Sequence, residues 1–455
     1  MRRSLAIVIS GVLASSLFAQ GAVERAVDDF IKSDMERQKI PGVSIAVVKD
    51  GKPVIVKGYG FADLEHQVPV KPETMFQSGS IGKQFTATAV MMLVEDGKID
   101  LDEKIAKYLS EVPESWRGIT VRHLLTHTSG LTDYPPDLDF RRDYTETELL
   151  KIAGRVPLAF GPGDGWEYSN LGYMTLGVLI GKVTGKFYGE YLRERIFVPL
   201  NMKTARIISE SDIVPNRASG YRLVNGEIKN QEWVSPSINT TADGSLYLSV
   251  LDLIKWDESL TKRSLLRPES YDLIWKPTQL KSGKWTSYGF GWSLKSVNGR
   301  RLVEHGGAWQ GFRSFISRYV DDGLSVIVLA NSSNANPQRL AHGVAELVDP
   351  AVRMRPSVDA DPRLSTELRQ LFESVLRGKA DRDRFSPDVQ KSLFEREDRL
   401  LNHLKKIGPI LSFDLMRAES PGAYSYQVQF GSMTILLEII REKDGKISRF
   451  EMHPE

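Results

Sequence analysis

The residues with the clearest chemical potential are a serine and a lysine three positions apart, Ser80 and Lys83, at the start of an apolar stretch. Apolar residues follow at helical spacing, among them Ile81, Phe85 and Ala89, which predicts a buried helix that opens at Ser80. Residues i and i+3 share one face of a helix, so the lysine amine would lie beside the serine hydroxyl. A base that removes the hydroxyl proton turns serine into a useful nucleophile, and burial helps an amine to act as that base.

The same residues have an ordinary interpretation, a serine that caps a helix followed by a solvated lysine. Two further segments weigh against it. A loop rich in glycine and proline at 160–170 leads into a helical run and places Tyr168 and Asn170 near the helix start. This loop lacks the Lys-Ser/Thr of a phosphate-binding loop. The other segment is His305-Gly306-Gly307, on a predicted strand.

A metal site is the alternative use for two other histidines, because His123 and His127 stand at an i, i+4 spacing that could ligate a metal. The sequence offers no His-Glu-x-x-His motif and no cysteine to complete such a site. We therefore expect ordinary loop histidines, no metal and no cofactor.

The secondary-structure pattern predicts an α+β fold. Turn residues join successive β-forming runs at Asp50-Gly51, Asn298-Gly299 and Asp322-Gly323. The strand before the second of these turns is expected to begin at Tyr288. Helical segments lie between the first hairpin and the later ones. The pattern predicts an antiparallel sheet flanked by helices, with an inserted helical domain and a cleft between the two.

Three regions are expected along the chain: a signal peptide at 1–22, a main domain at 23–355 and a small C-terminal α+β domain at 356–455. The first begins Met-Arg-Arg, continues through an apolar run and ends in small residues, which is typical of a secretory signal. The apolar run is short for a membrane helix. We expect a bacterial protein that is periplasmic or secreted, without a stable membrane span after cleavage. An uncleaved anchor is the alternative.

Composition narrows the classes of partner. The 455 residues carry a formal net charge of only +2, and they include no basic tract, so nucleic acid is not an expected ligand. The absence of cysteine excludes disulfides and thiol chemistry. The sequence leaves the oligomeric state open.

Taken in order, Ser80-x-x-Lys83, Tyr168-x-Asn170 and the strand motif at 305–307 resemble the motifs of the serine β-lactamase and penicillin-binding-protein-like superfamily. The closest resemblance is to its class C-like branch, which includes D-alanyl-D-alanine carboxypeptidases, D-aminopeptidases and family VIII carboxylesterases. The segment 124–131 also fits, and the resemblance covers about 22–350. It implies a β-lactamase/transpeptidase-like fold.

The resemblance also implies a role for each motif residue. Ser80 would be the acylated nucleophile and Lys83 its proton acceptor. Tyr168 would protonate the leaving group and later activate water, provided that a nearby cation stabilises its phenolate. Asn170 would bind the amide or ester oxygen of the substrate and hold the lysine. The oxyanion hole would consist of the N–H groups of Ser80 and Ala308.

One motif departs from the β-lactamase pattern, since His305-Gly306-Gly307 stands where β-lactamases carry Lys-Thr-Gly. A lysine attracts the carboxylate of β-lactams and of C-terminal peptides, whereas a histidine is mostly neutral at pH 7. The two glycines remove side chains from the floor of the cleft. Aromatic residues expected to line the cleft, and to favour an apolar acyl group, are Tyr134, Trp166 and Trp309.

These features predict an exported serine hydrolase that cleaves an ester or amide bond through an acyl-enzyme on Ser80. Its substrate would be a small ester, amide or peptide, and the type an esterase or a D-amino-acid peptidase. A β-lactamase and a non-catalytic protein that binds cell-wall fragments are the alternatives. A Ser-His-Asp hydrolase fits less well, because Ser-Gly-Ser80-Ile-Gly lacks the first glycine of Gly-x-Ser-x-Gly.

Overall fold

The three-dimensional structure is a computed structural model of the chain. It describes residues 21–110, 112–135, 137–207, 212–395, 402, 408–420, 422–431 and 433–454. The chain divides into two units, Met1–Val352 and Arg353–Glu455. The predicted signal peptide lies outside the described residues, apart from its last two positions. Among the residues described, none of the helices combines the length and the hydropathy needed to cross a bilayer.

Groups of consecutive strands and groups of consecutive helices follow one another along the first unit. The strands are β1 (Gly42–Lys49), β2 (Lys52–Asp63), β3 (Val68–Pro69), β4 (Phe76–Gln77), β5 (Arg206–Ile207), β6 (Tyr221–Val224), β7 (Glu227–Asn230), β8 (Leu246–Leu248), β9 (Ser293–Val297), β10 (Arg300–Trp309), β11 (Phe312–Tyr319) and β12 (Leu324–Ala330). The helices are α1 (21–38), α2 (Gly82–Glu95), α3 (Val121–Leu125), α4 (Glu146–Ala153), α5 (Asn170–Thr184), α6 (Tyr188–Leu192), α7 (Val250–Lys262), α8 (Pro268–Ile274) and α9 (Pro337–Val348).

Seven strands form the main sheet, in the order β3-β2-β1-β12-β11-β10-β9, and all neighbours are antiparallel. The first hairpin closes through Asp50 and Gly51, and the β9-β10 hairpin through Asn298 and Gly299. All four have positive φ, as a tight two-residue hairpin requires. The other strands described in this unit form a β4-β8-β5 sheet and a β6-β7 hairpin. The predicted α+β class and antiparallel sheet are confirmed.

One predicted strand boundary is wrong, because regular pairing of β9 begins at Ser293 rather than at Tyr288. Two glycines in the intervening stretch explain the difference. A side chain on Gly289 would lie 2.1 Å from the carbonyl oxygen of Ile274, and Gly291 has a φ of +76°. The chain therefore turns here, and Tyr288 makes only an isolated bridge with Ser293.

Helices cover both faces of the main sheet. On one face α9 packs on β11 and β12, and Phe30 of α1 lies against Gly343 of α9. On the other face α7 packs on β1 and β12, and its Asp257 accepts hydrogen bonds from Arg318 and Ser325. Helix α2 is buried along nearly its whole length and packs on α5 and α6. The helix follows directly on the turn Gly79–Ile81, which contacts β10 and β11 of the main sheet.

The second unit has its own hydrophobic core. It contains α10 (Pro362–Leu376), α11 (Pro387–Gln390), β13 (Ser412–Ser420), β14 (Ala423–Gln429), β15 (Thr434–Arg441) and β16 (Ile447–Pro454). The four strands form an antiparallel meander in chain order. Leu368 and Phe372 of α10 belong to the same buried cluster as Tyr426 and Leu437 of the sheet.

Candidate active site

Ser80 lies in a tight turn that precedes the buried helix. The 3₁₀ turn Gly79–Ile81 comes first and α2 begins only at Gly82, so the predicted helix start is displaced by two residues. Gly79 has a φ of +52°, and a side chain there would lie 2.4 Å from the backbone nitrogen of Ala308. Only glycine allows this approach, which brings the backbone of the turn against β10.

Lys83 is completely buried, and its ammonium nitrogen has three acceptors. Nζ lies 3.0 Å from Ser80 Oγ, 2.6 Å from Asn170 Oδ1 and 2.6 Å from the carbonyl oxygen of Asp243. The amide and the carbonyl oxygens can only accept hydrogen bonds. A neutral amine would give its two N–H groups to them and turn its lone pair toward the serine hydroxyl. A charged ammonium would donate its third N–H to the same hydroxyl oxygen, so both protonation states fit without rearrangement.

Tyr168 lies beside this lysine. The ring centroid of Tyr168 is 4.9 Å from Lys83 Nζ, within the range of a cation–π contact. The Tyr168 hydroxyl is buried and has no hydrogen-bond partner among the described residues. The ring of Tyr173 also lies near the amine, with its centroid 5.5 Å from Nζ. The structure thus brings the predicted pair Lys83 and Tyr168 together with Ser80.

Asn170 begins α5, and its side chain bridges the lysine to a carboxylate. Its Nδ2 lies 2.9 and 3.2 Å from the two carboxylate oxygens of Asp133, while its Oδ1 accepts from Lys83. Helix α5 is capped by Ser169, whose hydroxyl accepts the N–H of Gly172 and donates to the carbonyl of Thr132. The N-cap places Asn170 in the first turn, facing the lysine.

The third motif lies at the open edge of β10. Two-residue turns join this strand to β9 and β11. In this register the backbone N–H and C=O groups of the even-numbered residues of β10 point toward β9, and those of the odd-numbered residues point toward β11. Pairing with β9 ends at Glu304, so the N–H groups of Gly306 and Ala308 have no strand partner in the part of the chain described. Because the Ser80 turn approaches this edge at Ala308, the geometry suits an oxyanion hole made of the two backbone N–H groups.

Gly307 is required by packing on the cleft face of β10. A side chain at this position would lie 1.9 Å from the carbonyl oxygen of Ser78 and 2.2 Å from Ser314 Oγ. Ser314 itself donates a hydrogen bond to that Ser78 carbonyl. Glycine at position 307 therefore leaves room for Ser314 of β11 to hold Ser78, which lies just before the serine turn.

His305 is held by two hydrogen bonds within the protein. Its Nδ1 lies 2.6 Å from the carbonyl oxygen of Gly306, which can only accept, and its Nε2 lies 2.8 Å from the hydroxyl of Tyr288. Burial, together with the nearby Lys83 charge, lowers the pKa of His305 to about 4. The histidine is therefore neutral at pH 7 and both of its nitrogens are occupied, so it offers no charge to a substrate carboxylate.

The predicted cleft aromatics fall into two groups. Tyr134 and Trp309 are linked through Phe140, with ring centroids 5.7 and 6.3 Å from the phenylalanine. Burial and the neighbouring Asp243 carboxylate raise the pKa of Tyr134 well above its ordinary value. Trp166 stands apart from them, 41% exposed, with its ring near His127 and Tyr288.

Several contributing residues were missed by sequence reasoning. The side chain of Asp133 holds Asn170, and that of Tyr288 holds His305. The ring of Phe140 packs against both Tyr134 and Trp309. Asp243 contributes its backbone carbonyl, for which no sequence signal exists. For Asp133 the sequence offered one signal: the residue lies just after the segment 124–131, which supported the family resemblance.

The two histidines considered as metal ligands are engaged with the backbone. His123 Nδ1 accepts the N–H of Thr120 at 3.2 Å, and His127 Nδ1 accepts the N–H of Ser169 at 3.1 Å. Within the described ranges, no three histidine, aspartate or glutamate side chains converge as a metal site requires.

Comparison with known proteins gives consistent matches. A family model described as Beta-lactamase matches residues 27–348. A penicillin-binding protein of Bacillus subtilis (strain 168) is 28% identical over 315 residues, which are 65% of this chain and 69% of that protein. A D-aminopeptidase of Gluconobacter oxydans (strain 621H) is 30% identical over 306 residues, 65% of this chain and 56% of that protein.

Solved structures agree with the sequence matches. The octameric penicillin-binding protein homologue from Pyrococcus abyssi has a TM-score of 0.63 and 25% identity, and the match covers 94% of this chain and 99% of that one. The D-amino acid amidase from Ochrobactrum anthropi SV3, in complex with L-phenylalanine amide, has a TM-score of 0.62 and 26% identity. That match covers 72% of this chain and 97% of the amidase.

Proposed function

The chain belongs to the beta-lactamase family, and from this membership we propose that it is a serine hydrolase that forms an acyl-enzyme on Ser80. The family match places it among serine hydrolases of the penicillin-binding-protein, D-aminopeptidase and D-amino acid amidase type. The proposed substrates are amides, peptides or esters of a D-amino acid or a similar small acyl group.

The observation that carries the proposal is the environment of the Lys83 amine. Two acceptor-only groups and the Ser80 hydroxyl surround Nζ at hydrogen-bonding distance. This arrangement supports a base that takes the serine proton and later returns it. A positioned base of this kind contributes about 100- to 10,000-fold to the rate.

The reaction proceeds in two steps. In the first, Ser80 Oγ bonds to the substrate carbonyl carbon while its proton passes to Lys83, and the leaving amine or alcohol departs with a proton relayed through Tyr168. In the second, water gives a proton to the same pair and attacks the ester, which releases the acid and regenerates Ser80. The N–H groups of Ser80 and Ala308 stabilise the oxyanion in both steps, and each is worth about 3 kcal/mol.

The third motif supports the choice of substrate class. Penicillins and C-terminal peptides carry a carboxylate near the bond that is cleaved, and a neutral histidine with both nitrogens occupied binds it poorly. The cleft therefore favours substrates without a carboxylate at this position. The names of the D-aminopeptidase and the D-amino acid amidase refer to D-amino-acid substrates, which supports the proposed acyl group.

Trapping of the acyl-enzyme tests the proposal. Intact-mass spectrometry after mixing with a fluorophosphonate probe or an ester library should show one adduct, located on Ser80 by peptide mapping. Ser80→Ala should abolish the adduct. Tyr168→Phe should slow both the formation and the hydrolysis of the acyl adduct that an ester leaves on Ser80. An adduct that persists in Ser80→Ala would overturn the assignment of the nucleophile.

Substrate panels separate the alternatives. We expect turnover of D-amino-acid p-nitroanilides or of p-nitrophenyl butyrate to exceed that of nitrocefin and of a D-Ala-D-Ala peptide. Preferred hydrolysis of nitrocefin would favour a β-lactamase. Binding of cell-wall fragments without any product would favour a non-catalytic protein.

We propose export on the basis of residues 1–22. Fractionation of a bacterial host should recover the mature protein outside the cytoplasm, shortened at its N-terminus. Retention of full-length protein in the cytoplasm would contradict export.

A further inference from the structure

Residues 127–133 form a continuous strap along the segment that carries Tyr168 and Asn170. The carbonyl of His127 accepts the N–H of Glu167 at 2.9 Å. The carbonyl of Thr132 accepts the hydroxyl of Ser169 at 2.7 Å. The function proposed above uses Tyr168 and Asn170 but assigns nothing to the strap that holds them.

His127 makes more of these contacts than any neighbour described in the strap. Its Nδ1 accepts the N–H of Ser169, the residue between the two motif side chains. Its ring packs on the ring of Tyr168 with a centroid distance of 4.3 Å. One side chain thus holds both the backbone and the phenol of the motif, and only 1% of His127 is exposed.

The protonation state of His127 follows from its partners. Because Nδ1 accepts a backbone N–H, the hydrogen of the neutral ring is on Nε2, and this atom has no hydrogen-bond partner among the described residues. Burial, with a contribution from the Lys83 charge, holds the pKa of His127 well below its ordinary value. A neutral ring places no second positive charge beside Lys83 and Tyr168.

The backbone at His127 is also unusual. Its φ of 59° is left-handed, a conformation that is unfavourable for a non-glycine residue and persists only where the surroundings determine it. The buried Nε2–H without a partner among the described residues is a further cost to stability. An apolar side chain would fill the same volume without the buried, unpaired Nε2–H, so filling space does not account for a histidine at this position.

We propose that His127 is a positioning residue of the hydrolase, which aligns Tyr168 and Asn170 with Lys83 by accepting the Ser169 N–H and supporting the phenol ring. The inference rests on the proposed function, because it assigns a role within the same reaction. His127 touches no reacting atom and acts only through the 168–170 segment.

The chain provides a matched control. His123 lies four residues earlier and also accepts a backbone N–H at Nδ1, that of Thr120 at the start of α3. His123→Phe removes an equivalent cap away from the 168–170 segment. It should lower the melting temperature while kcat stays within about twofold of the wild type, since the lost cap weakens the start of α3 and not the 168–170 segment.

Two substitutions separate the acceptor from the ring. His127→Phe keeps a ring but loses the acceptor, whereas His127→Asn keeps an oxygen close to the position of Nδ1. We expect His127→Phe to lower kcat about 10- to 100-fold with little change in KM, as a misplacement of about 1 Å does. We expect His127→Asn to recover kcat to within about fivefold of the wild type. If His127→Phe does not fold, His127→Gln removes the acceptor from the same position and should behave in the same way.

Amide hydrogen exchange provides a readout that is independent of turnover. The Ser169 amide should exchange slowly in the wild type and in His127→Asn, and much faster in His127→Phe. Wild-type kcat in His127→Phe, or equal loss of kcat in His127→Phe and His127→Asn, would overturn the proposal. If the wild-type protein forms no Ser80 adduct, the proposed function fails, whereas the exchange of Ser169 still decides whether His127 holds this segment.

Discussion

The carboxylate of Asp133 accepts the side-chain amide of Asn170, with its two oxygens 2.9 and 3.2 Å from Nδ2. A carboxylate can only accept, so the amide is oriented with its oxygen toward Lys83, where the amine needs an acceptor. Without Asp133 the amide could turn and present a donor to the lysine. The exposed aspartate therefore sets the hydrogen-bonding pattern of a buried amine.

Asp133→Ala should lower kcat/KM about tenfold or more, because a hydrogen bond to a charged group is worth about 1.5–3 kcal/mol. Asp133→Asn should be milder, since its carbonyl oxygen can still accept from Asn170. Hydrolysis of p-nitrophenyl butyrate measures both. Asp139→Ala is the control, because Asp139 is also exposed and its carboxylate accepts the N–H of Arg141, a local backbone contact away from Asn170. Equal activity in the Asp133 and Asp139 variants would contradict the role of Asp133.

Gly307→Ala should lower activity about 100-fold or more, because the new methyl would overlap the Ser78 carbonyl and displace the serine turn. Gly306→Ala is the neighbouring control on β10. Its methyl would meet the Phe315 ring at 3.3 Å, a contact that a small shift relieves. The rate of Ser80 labelling by a fluorophosphonate measures the effect. The argument from packing is wrong if the two variants are labelled at the same rate.

Stability should depend on pH through His305. Imidazole in the unfolded chain takes up a proton near pH 6.5, whereas folded His305 does so only near pH 4. Between these values the unfolded state binds more protons, so stability falls as the pH is lowered from 6.5 to 4, by about 3 kcal/mol.

Urea unfolding at a series of pH values measures this dependence. His305→Gln should show a shallower decline between pH 6.5 and 4 than the wild type, whatever its stability at neutral pH. His66→Gln is the control, because the His66 side chain is 77% exposed, and it should follow the wild-type slope. Parallel slopes for wild type and His305→Gln would exclude His305 as the source.

Asp257→Ala should destabilise the first unit by about 3–5 kcal/mol, because it leaves the buried Arg318 charge without its partner. The two side chains are 2% and 6% exposed, and the Arg318 Nε to Asp257 Oδ1 distance is 2.6 Å. Glu258→Ala, at the next position of α7, removes exposed pairs with Lys255 and Lys262 and should cost about 0–1 kcal/mol. Differential scanning calorimetry compares them. Similar melting temperatures for the two variants would contradict this difference between a buried and an exposed ion pair.

The local sequence was sufficient for much of the fold. Asp50-Gly51 and Asn298-Gly299 predicted hairpins because few residue pairs other than these adopt two consecutive positive φ angles. The apolar run after Ser80 predicted a buried helix. The prediction of a strand beginning at Tyr288 was wrong. Gly289 packs closely against the distant residue Ile274, and Gly291 turns the chain, so regular pairing cannot begin there.

For the site, sequence spacing alone was enough to bring Ser80 and Lys83 together, since residues i and i+3 lie on the same side of a 3₁₀ turn as well as of an α-helix. The approach of Tyr168, Asn170 and β10 depends on contacts between residues separated by 80 to 230 positions, and only the family resemblance suggested it beforehand.

The sequence by itself determined the pairing of Ser80 with Lys83, the hairpins and the family, because these depend on residue types at short spacing. Only the tertiary structure decided that His305 is neutral with both nitrogens occupied, that Asp133 orients Asn170, and that a backbone carbonyl at Asp243 completes the lysine site. Burial and hydrogen-bond direction are properties of the assembled chain, since they depend on which distant groups replace water around each polar atom.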